Sequence, residues 1–362
     1  MGTSYELEVV KVVAETADAH SVSLAVPEEA RAAFDHVPGQ FLTVAVPSDV
    51  TGVVARCYSL SSSPYDGGPL TVTVKRTVDG YASNWICDHV RAGSTLRVLP
   101  PAGIFTPTDL DADLLLFAGG SGITPIMSIT RTALAQGSGR VVVVYANRDE
   151  ASVIFASELA SLAATHPDRL TVVHWLETEV GLPTRERVLE VAGPCSAYDA
   201  FVCGPAPFMD LVVSALRELG LPRERRHREK FLSLTGNPFG HAADQATAAR
   251  ELAEADSEAV DDWPADAGPP PPVRLEIELD GVLHVFDDWG PTTKLIEHLE
   301  GKGLNPPFSC REGQCSTCAI RLLEGEVKML NNEVLDEEDL ADGIRLACQS
   351  LPVTDVVRAE YE

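Results

Sequence analysis

Four cysteines have the spacing of an iron–sulfur site. Cys310, Cys315 and Cys318 follow one another at C-x4-C-x2-C spacing, and Cys348 comes later in the chain. This is the plant-type spacing for four thiolates that hold a 2Fe–2S cluster. Gly313 and the small side chains of the loop leave room for the backbone to approach inorganic sulfide. The sequence therefore predicts that these four cysteines are the metal ligands of a cluster that transfers one electron at a time.

Other interpretations of these cysteines fit the pattern less well. A zinc site usually uses two close pairs of ligands or a mixture of cysteine and histidine, whereas this pattern is three plus one. Disulfides need an oxidising compartment, and we see no secretory segment. A Rieske centre would need two histidines in place of two cysteines. Four ordinary thiols remain as an alternative, and Cys57, Cys87 and Cys195 are expected to be thiols of that kind.

A second group of residues that could do chemistry lies at 56–83. In Arg56-Cys-Tyr-Ser59, Arg56 could bind a pyrophosphate, Tyr58 could stack on an aromatic ring system, and Ser59 could donate to a ring nitrogen. In Gly80-Tyr-Ala-Ser83, backbone N–H groups and the Ser83 hydroxyl could meet phosphate oxygens at the start of a helix predicted over 84–90. Arg56 could equally form a surface ion pair and Tyr58 could pack in a core. The interpretation depends on the conjunction and order of these residues.

A glycine-rich turn predicts a phosphate site in the middle of the chain. Residues 114–125 are a continuous apolar run, then a turn with three glycines, then a helix with Pro125 in its first turn. Gly119, Gly120 and Gly122 leave space for a phosphate at the helix N-terminus. The turn differs from the G-x-G-x-x-G fingerprint, so that motif is not assigned.

Strands alternate with helices from 109 to 232, which predicts a doubly wound parallel sheet. Ligands of such sheets bind at the carboxyl ends of the strands, where both the glycine turn and Cys203-Gly-Pro205 fall. Arg148 follows the second strand and could bind the 2′-phosphate of NADPH. Asp149 and Glu150 beside it would repel that phosphate, so the sequence favours NADH over NADPH.

Composition restricts the class of protein. The chain has 362 residues, 45% of them hydrophobic, and a net charge of −26. Nucleic acid and anionic membranes are poor partners for such a surface, whereas an acidic patch could steer a basic protein partner. We find no run of apolar residues long enough for a transmembrane helix, and a cytoplasmic location is expected.

The pattern along the chain predicts a multidomain protein. Residues 1–108 have the short strands and turns of an antiparallel β-barrel, and 109–232 have the pattern of an α/β parallel sheet. Residues 233–272 are an acidic, Pro-rich linker. Residues 273–362 form an α+β domain that begins with a hairpin around Asp280-Gly281.

Three motifs, in this order, resemble the ferredoxin–NADP reductase superfamily, and residues 273–362 resemble plant-type ferredoxins. The motifs are Arg56-x-Tyr-Ser59, Ala118-Gly-Gly-Ser-Gly-Ile-Thr-Pro125 and Cys203-Gly-Pro205. The resemblance implies an FAD-binding domain, an NAD(P)-binding domain and a β-grasp 2Fe–2S ferredoxin domain. With the reductase first and the ferredoxin last, the chain resembles the reductase components of phenylacetyl-CoA epoxidase and of 3-ketosteroid 9α-hydroxylase. The resemblance to the latter is closer, in the segments Ala55–Tyr65, Val74–Trp85 and Phe308–Cys315.

The resemblance also implies roles for individual residues. Ser59 would lie beside the hydride-accepting flavin nitrogen and Cys203 near the nicotinamide, so these two are the candidate catalytic residues. The implied FAD-binding residues are Arg56, Tyr58, Ser59, Val74, Lys75, Gly80, Ala82, Ser83 and Phe231. The implied dinucleotide-binding residues are Gly119, Gly120, Gly122, Thr124, Pro125, Arg148, Cys203, Gly204 and Pro205.

These expectations define an electron path and a partner. Electrons would pass from NADH to FAD, then to the 2Fe–2S cluster, and then to a Rieske-type oxygenase of steroid degradation. The linker would let the ferredoxin domain alternate between the flavin and that oxygenase. A di-iron oxygenase or a desaturase is the alternative acceptor. A redox-sensing protein is the alternative from another class, although a sensor needs no site for a hydride donor.

Overall fold

The computed structural model describes residues 4–48, 52–78, 80–231, 238–239 and 272–361. They form two compact units, one made mainly of residues 4–46 and 56–231 and the other mainly of residues 272–361. The predicted linker at 233–272 lies outside the described residues except at 238, 239 and 272, so its predicted role remains a prediction. Within the described ranges, no helix combines the length and the apolarity that crossing a bilayer requires.

The N-terminal part of the first unit is an antiparallel sheet with one helix. Its strands are β1 (Tyr5–Thr16), β2 (Ala19–Ala25), β3 (Phe41–Ser48), β4 (Gly52–Ser59), β5 (Leu70–Lys75) and β6 (Thr95–Val98), and its helix is α1 (Tyr81–His89). The strand order is β4-β3-β6-β1-β2-β5. Alternate residues such as Leu7, Val9 and Leu24 point inward and are fully buried.

The two outer strands of this sheet approach each other. Leu60 forms an isolated antiparallel bridge with Val72, and the Ser61 N–H donates to the Thr71 carbonyl at 2.7 Å. The predicted antiparallel β architecture is confirmed. Among the described residues, this short contact is what brings the two edges of the sheet together, and no closed barrel is formed.

The second part of the first unit is a parallel sheet with helices on both faces. Its elements are β7 (Leu114–Gly119), α2 (Ile123–Gln136), β8 (Val141–Asn147), α3 (Ala156–Thr165), β9 (Leu170–Leu176), α4 (Glu177–Val180), α5 (Arg185–Ala192), β10 (Asp199–Cys203), α6 (Ala206–Glu218) and β11 (Arg226–Glu229). The order is β11-β10-β7-β8-β9 with parallel pairing throughout. Leu114 and Leu116 of β7 enter one apolar core while Leu115 and Phe117 enter the other, which explains the unbroken apolar run.

The second unit is a mixed sheet packed against a short helix. Its elements are β12 (Val273–Leu279), β13 (Val282–Trp289), α7 (Leu295–Gly301), β14 (Ala319–Glu324), β15 (Val327–Met329), α8 (Glu337–Ala341), β16 (Ile344–Leu346), β17 (Ser350–Pro352) and β18 (Val356–Tyr361). The main sheet has the order β13-β12-β18-β14-β16. Trp289, Leu295 and Leu299 form its buried centre.

Some predicted boundaries need correction. The helix predicted over 84–90 begins three residues earlier, since α1 follows Gly80 directly. The hairpin around Asp280-Gly281 is confirmed, with both residues at positive φ (53° and 72°), as a two-residue turn between twisted strands requires.

Candidate functional site

The glycine-rich turn lies against the carboxyl end of β10. A Cβ added to Gly122 would lie 2.1 Å from the Cys203 carbonyl oxygen and 2.7 Å from the Gly204 nitrogen, so only glycine fits there. The Tyr145 hydroxyl donates to the Gly120 carbonyl at 3.0 Å and accepts from the Ile154 N–H at 3.3 Å. The two predicted dinucleotide motifs are therefore brought together at one end of the sheet.

Other residues predicted to bind the dinucleotide lie at the same sheet edge. Thr124 is buried in the first turn of α2, and its hydroxyl donates to the Ser121 carbonyl at 3.1 Å. Pro125 is buried in the same turn. Pro205 immediately precedes α6 and lies against Gly119, where an added Cβ would be 2.9 Å from the proline ring. No side chain larger than hydrogen fits at that contact.

Cys203 is 0% exposed at the end of β10. Burial raises the pKa of its thiol well above the usual range, so the group is neutral. Its register partner on β11 is Glu229. Burial raises the pKa of the Glu229 carboxyl to about 8. A neutral thiol and a carboxyl that titrates near neutrality therefore meet at the end of the strands where a ligand of this fold binds.

Glu229 was not identified from the sequence. The sequence feature that could have identified it is its position, at the end of β11 and two residues before Phe231. Phe231 is 43% exposed, which is unusual for a large aromatic side chain and fits an aromatic ring that covers a bound ring system.

Asn147 is a second residue that the sequence did not reveal. It is 8% exposed at the carboxyl end of β8, and neither atom of its amide has a hydrogen-bond partner among the described residues. Buried amides are normally hydrogen-bonded, so this one is suited to meet a ligand. The neighbouring Arg148 pairs with Asp149 at 2.9 Å, and Asp149 also accepts from the Ser152 N–H.

The flavin-type motif lies on β4 and on the turn that follows it. Arg56 and Tyr58 are half-buried, and burial raises the pKa of the Tyr58 hydroxyl well above its usual range. Ser59 is buried at the end of the strand. Strand alternation directs Arg56 and Tyr58 to one face and Ser59 to the other.

The remaining residues predicted to bind FAD surround the start of α1. The Ser83 hydroxyl accepts from the Thr77 N–H at 3.0 Å, which fixes the turn around Gly80. Ala82 and Val74 are buried, so a ligand would contact their backbone. Lys75 pairs with Asp18 at 3.7 Å. The phosphate site predicted at this helix start stays a prediction.

The four predicted cluster ligands converge. All four cysteines are buried. Cys310 hydrogen-bonds with the thiols of Cys315 and Cys348, and Cys348 hydrogen-bonds with Cys318. A hydrogen bond with Cys310 and burial raise the pKa of Cys315 well above its usual range, so the thiolate form needs a bound cation.

The cysteine loop presents donors to the sulfur atoms. The N–H groups of Glu312 and Gln314 both point at Cys310 Sγ from 3.3 Å, and the Cys310 N–H points at Cys315 Sγ from 3.4 Å. Gly313 has a φ of 77°, and an added Cβ would lie 2.7 Å from the Asn331 carbonyl oxygen. Convergent thiols with N–H donors fit a 2Fe–2S cluster, whose sulfurs accept such hydrogen bonds.

An arginine fastens this loop to the rest of its unit. The Arg311 guanidinium forms a bidentate ion pair with Glu300 at the end of α7 and stacks on the Phe308 ring, 3.9 Å from its centroid. The Arg311 carbonyl accepts from the Gln349 amide at 2.7 Å, next to Cys348. These contacts connect the cysteine loop to the turn between β16 and β17 that carries the fourth thiol.

Comparisons with known proteins agree with this division. Residues 6–106 match the family described as an oxidoreductase FAD-binding domain, 116–214 match the oxidoreductase NAD-binding domain, and 277–353 match the 2Fe-2S iron-sulfur cluster binding domain. The predicted FAD, NAD and 2Fe–2S cofactors are thereby confirmed, and the chain is an oxidoreductase.

Relatives match over almost the whole chain, and two of them show the family. The ferredoxin reductase component of 3-ketosteroid-9-alpha-monooxygenase from Rhodococcus rhodochrous is 53% identical, over 98% of this chain and 96% of the relative. The protein of the same description from Mycolicibacterium smegmatis is 52% identical, over 99% of this chain and 97% of the relative. Among solved structures, phthalate dioxygenase reductase matches with a TM-score of 0.55 and 23% identity, over 99% of this chain and 98% of that one, which shows the shared fold.

Proposed function

Since this chain belongs to the family of ferredoxin reductase components of 3-ketosteroid-9-alpha-monooxygenase, we propose that it reduces the oxygenase component of a steroid-hydroxylating system. Such components donate electrons to an oxygenase, and the three matched domains account for the path from NADH through FAD to the 2Fe–2S cluster. The observation that carries the proposal is the convergence of Cys310, Cys315, Cys318 and Cys348. These thiols would hold the cluster that passes single electrons out of the protein.

FAD supplies two-electron acceptance and one-electron release, which connects a hydride donor to a one-electron cluster. The proposed role of the protein's own residues is to bind FAD and to orient it. Arg56 binds the pyrophosphate, Tyr58 stacks on the flavin ring, and Ser59 donates to its ring nitrogen. The α1 N-terminus at Gly80 and Ser83 binds the phosphates.

The dinucleotide is proposed to bind across the carboxyl ends of β7, β8 and β10. The glycine turn gives the pyrophosphate access to the α2 N-terminus. The buried neutral thiol of Cys203 lies where the nicotinamide must approach, and Glu229 beside it can hold or release a proton near neutral pH. Asn147 offers its unpartnered amide to the adenosine half.

NADH is the proposed donor. The charge of Arg148 is already engaged by Asp149, which is itself fixed by its hydrogen bonds to Ser152. A 2′-phosphate would have to displace that pair and face the acidic side chains.

We also propose domain boundaries at residues 108, 232 and 272 and a cytoplasmic location. The cytoplasm supplies NADH and keeps thiol ligands reduced. The proposed acceptor is a Rieske-type oxygenase of steroid degradation. In support, the relatives that are 47–53% identical over 98–99% of this chain are named as components of 3-ketosteroid-9-alpha-monooxygenase.

An anaerobic titration of the purified protein with NADH tests the electron path. Flavin and iron–sulfur absorbance should both bleach, at about one FAD and about two irons per chain. Reconstitution with a steroid oxygenase and, separately, with a di-iron oxygenase tests the acceptor. Product formation only with the di-iron partner would refute the proposed acceptor, and flavin that NADH does not bleach would refute the reductase function.

A further inference from the structure

The two cofactor-binding parts of the first unit are joined by one face of helix α2. Ser128, Arg131 and Thr132 are spaced i, i+3 and i+4, so their side chains lie on the same side of the helix. All three contact the segment Ser61–Ser63, which begins two residues after Ser59. We refer to Ser128, Arg131 and Thr132 together as the α2 clamp.

Each residue of the α2 clamp makes a polar contact with this segment. The Ser128 hydroxyl donates to the Ser62 carbonyl at 2.7 Å, and Arg131 Nη1 donates to the Ser61 carbonyl. The hydroxyls of Thr132 and Ser63 are 2.9 Å apart and share a hydrogen bond. Ser128 and Thr132 are completely buried, so water does not compete for these bonds.

The segment Ser61–Ser63 contacts both helix α2 and the N-terminal antiparallel sheet, which we call the flavin part. Two of its hydroxyls bond within the flavin part: the Ser61 hydroxyl lies 2.9 Å from the Thr73 hydroxyl, and the Ser62 hydroxyl accepts from the Thr71 N–H at 3.0 Å. Its carbonyls at 61 and 62 accept from α2. A displacement of α2 is therefore passed directly to the strand that carries the flavin motif.

Arg131 is itself fixed in place. Its Nε and Nη2 donate to the two carboxylate oxygens of Glu158, both at 2.7 Å, and the guanidinium lies over the Phe155 ring at 5.7 Å. The third nitrogen, Nη1, is the one that reaches Ser61. A planar guanidinium can serve these two acceptors in fixed directions, which lysine cannot do.

We propose that the α2 clamp, with Arg131 as its principal member, is a positioning element that sets the distance between the nicotinamide and the flavin. The inference rests on the proposed function. Hydride transfer requires the reacting atoms to lie within about 3–3.5 Å, and an error of about 1 Å can cost on the order of 100-fold in rate. The glycine turn begins the helix that carries the clamp, and Ser59 precedes the segment that the clamp binds.

The test is single-turnover reduction of the flavin by NADH, followed anaerobically in the full chain carrying Arg131→Gln. Because Arg131 contacts neither proposed cofactor site, the dissociation constant for NADH and the FAD content should not change. The limiting rate should fall by roughly 10- to 100-fold. NADH that carries deuterium at the transferred position should show a larger isotope effect than in the unsubstituted protein. Arg131→Lys should restore part of the rate.

Arg169→Gln is the matched control. Like Arg131, Arg169 makes three hydrogen bonds, but its acceptors are the carbonyls of Gly139, Leu134 and Ala133, all within the nucleotide part. Its loss should lower thermal stability without slowing hydride transfer. An unchanged limiting rate in Arg131→Gln, or an equal slowing in both variants, would overturn the positioning role.

If Arg131→Gln does not fold, Ser128→Ala provides a second test, because it removes one hydroxyl from the same face of α2. A slower limiting rate at constant NADH affinity supports the proposal, and an unchanged rate overturns it. Failure of the proposed function looks different: NADH would not reduce the flavin of the unsubstituted protein, which would overturn both proposals.

Discussion

Cys203 and Glu229 are register partners on adjacent parallel strands, and both lie at the carboxyl ends of those strands. Burial favours the neutral form of each group and raises both pKa values. An uncharged pair at this position can accept an approaching nicotinamide without the cost of desolvating a carboxylate.

The half-buried Glu229 carboxyl gives the first prediction. Its pKa is about 8 in the folded chain against 4.5 when unfolded, so between these values the folded state binds more protons. This group therefore contributes stability that is fully present below pH 4.5 and is lost as pH rises through 8. Glu229→Gln should be more stable than the original chain above pH 8, by on the order of 2 kcal/mol, and equal to it at low pH.

Thermal melts of the holoprotein across this pH range measure the difference. Glu224→Gln, an exposed position just before the same strand, is the control and should shift the melting temperature equally at all pH values. If the difference in melting temperature between Glu229→Gln and the original chain does not change with pH, the Glu229 carboxyl is ionised in the folded state.

Gly122→Ala should weaken dinucleotide binding. The new methyl group would overlap the Cys203 carbonyl and the Gly204 nitrogen, both of them backbone atoms that cannot move aside. We expect the dissociation constant for NADH to rise by at least roughly tenfold, about 1.4 kcal/mol, while FAD is retained. Gly193→Ala, where an added Cβ meets nothing within 4 Å, should bind normally. Equal affinity in both variants would contradict the proposed phosphate turn.

Asn147→Ala should lose affinity for NADH without slowing the chemistry. Its amide makes no hydrogen bond of standard geometry among the described residues, so its removal should cost little stability. We expect about a tenfold weaker dissociation constant at an unchanged limiting rate of flavin reduction. Isothermal titration with NAD⁺ and stopped-flow reduction separate the two effects. Unchanged binding would place the dinucleotide away from the end of β8.

Asp149→Asn should narrow the preference for NADH over NADPH. The substitution removes the charge that engages Arg148, while the amide oxygen can still accept from the Ser152 N–H. We expect the KM for NADPH to fall by roughly tenfold and that for NADH to change little. Adding Arg148→Gln to Asp149→Asn should cancel the gain. A gain that persists in the double variant would assign the 2′-phosphate to another cation.

Cys348→Ser should remove the cluster and leave the flavin site intact. Iron should fall from about two per chain to near zero, and NADH should still bleach the flavin. Cys195→Ser, at a buried thiol of the nucleotide part, should retain both the iron and the iron–sulfur absorbance. A Cys348→Ser protein with full iron content would exclude this residue as a ligand.

The parts of the molecule that depend on local sequence could be predicted. The cysteine loop, the glycine turn and the Asp280-Gly281 hairpin each contain their own signal within a few residues. The domain classes followed from periodicity, since β7 is continuously apolar and the strands of the N-terminal part are short and separated by turns.

The parts that depend on tertiary pairing could not be predicted. Glu229 becomes a site residue only because β11 pairs with β10, and Asn147 only because β8 ends beside β7. The contact between Ser128 and Ser62 spans 66 positions of sequence. β4 was not predicted as a strand, because Arg56-Cys-Tyr-Ser59 lacks a clear alternation of apolar and polar residues.

The strand order of the second unit has a consequence for biosynthesis. β18 lies between β12 and β14 at the centre of the main sheet, yet it follows all four cluster cysteines in the sequence. During translation all four thiols are therefore synthesised before the strand that completes the sheet around them. Because Val357 and Ala359 of β18 pack in the same core as Cys318 and Cys348, the final burial of these thiols has to wait until the last strand has been made.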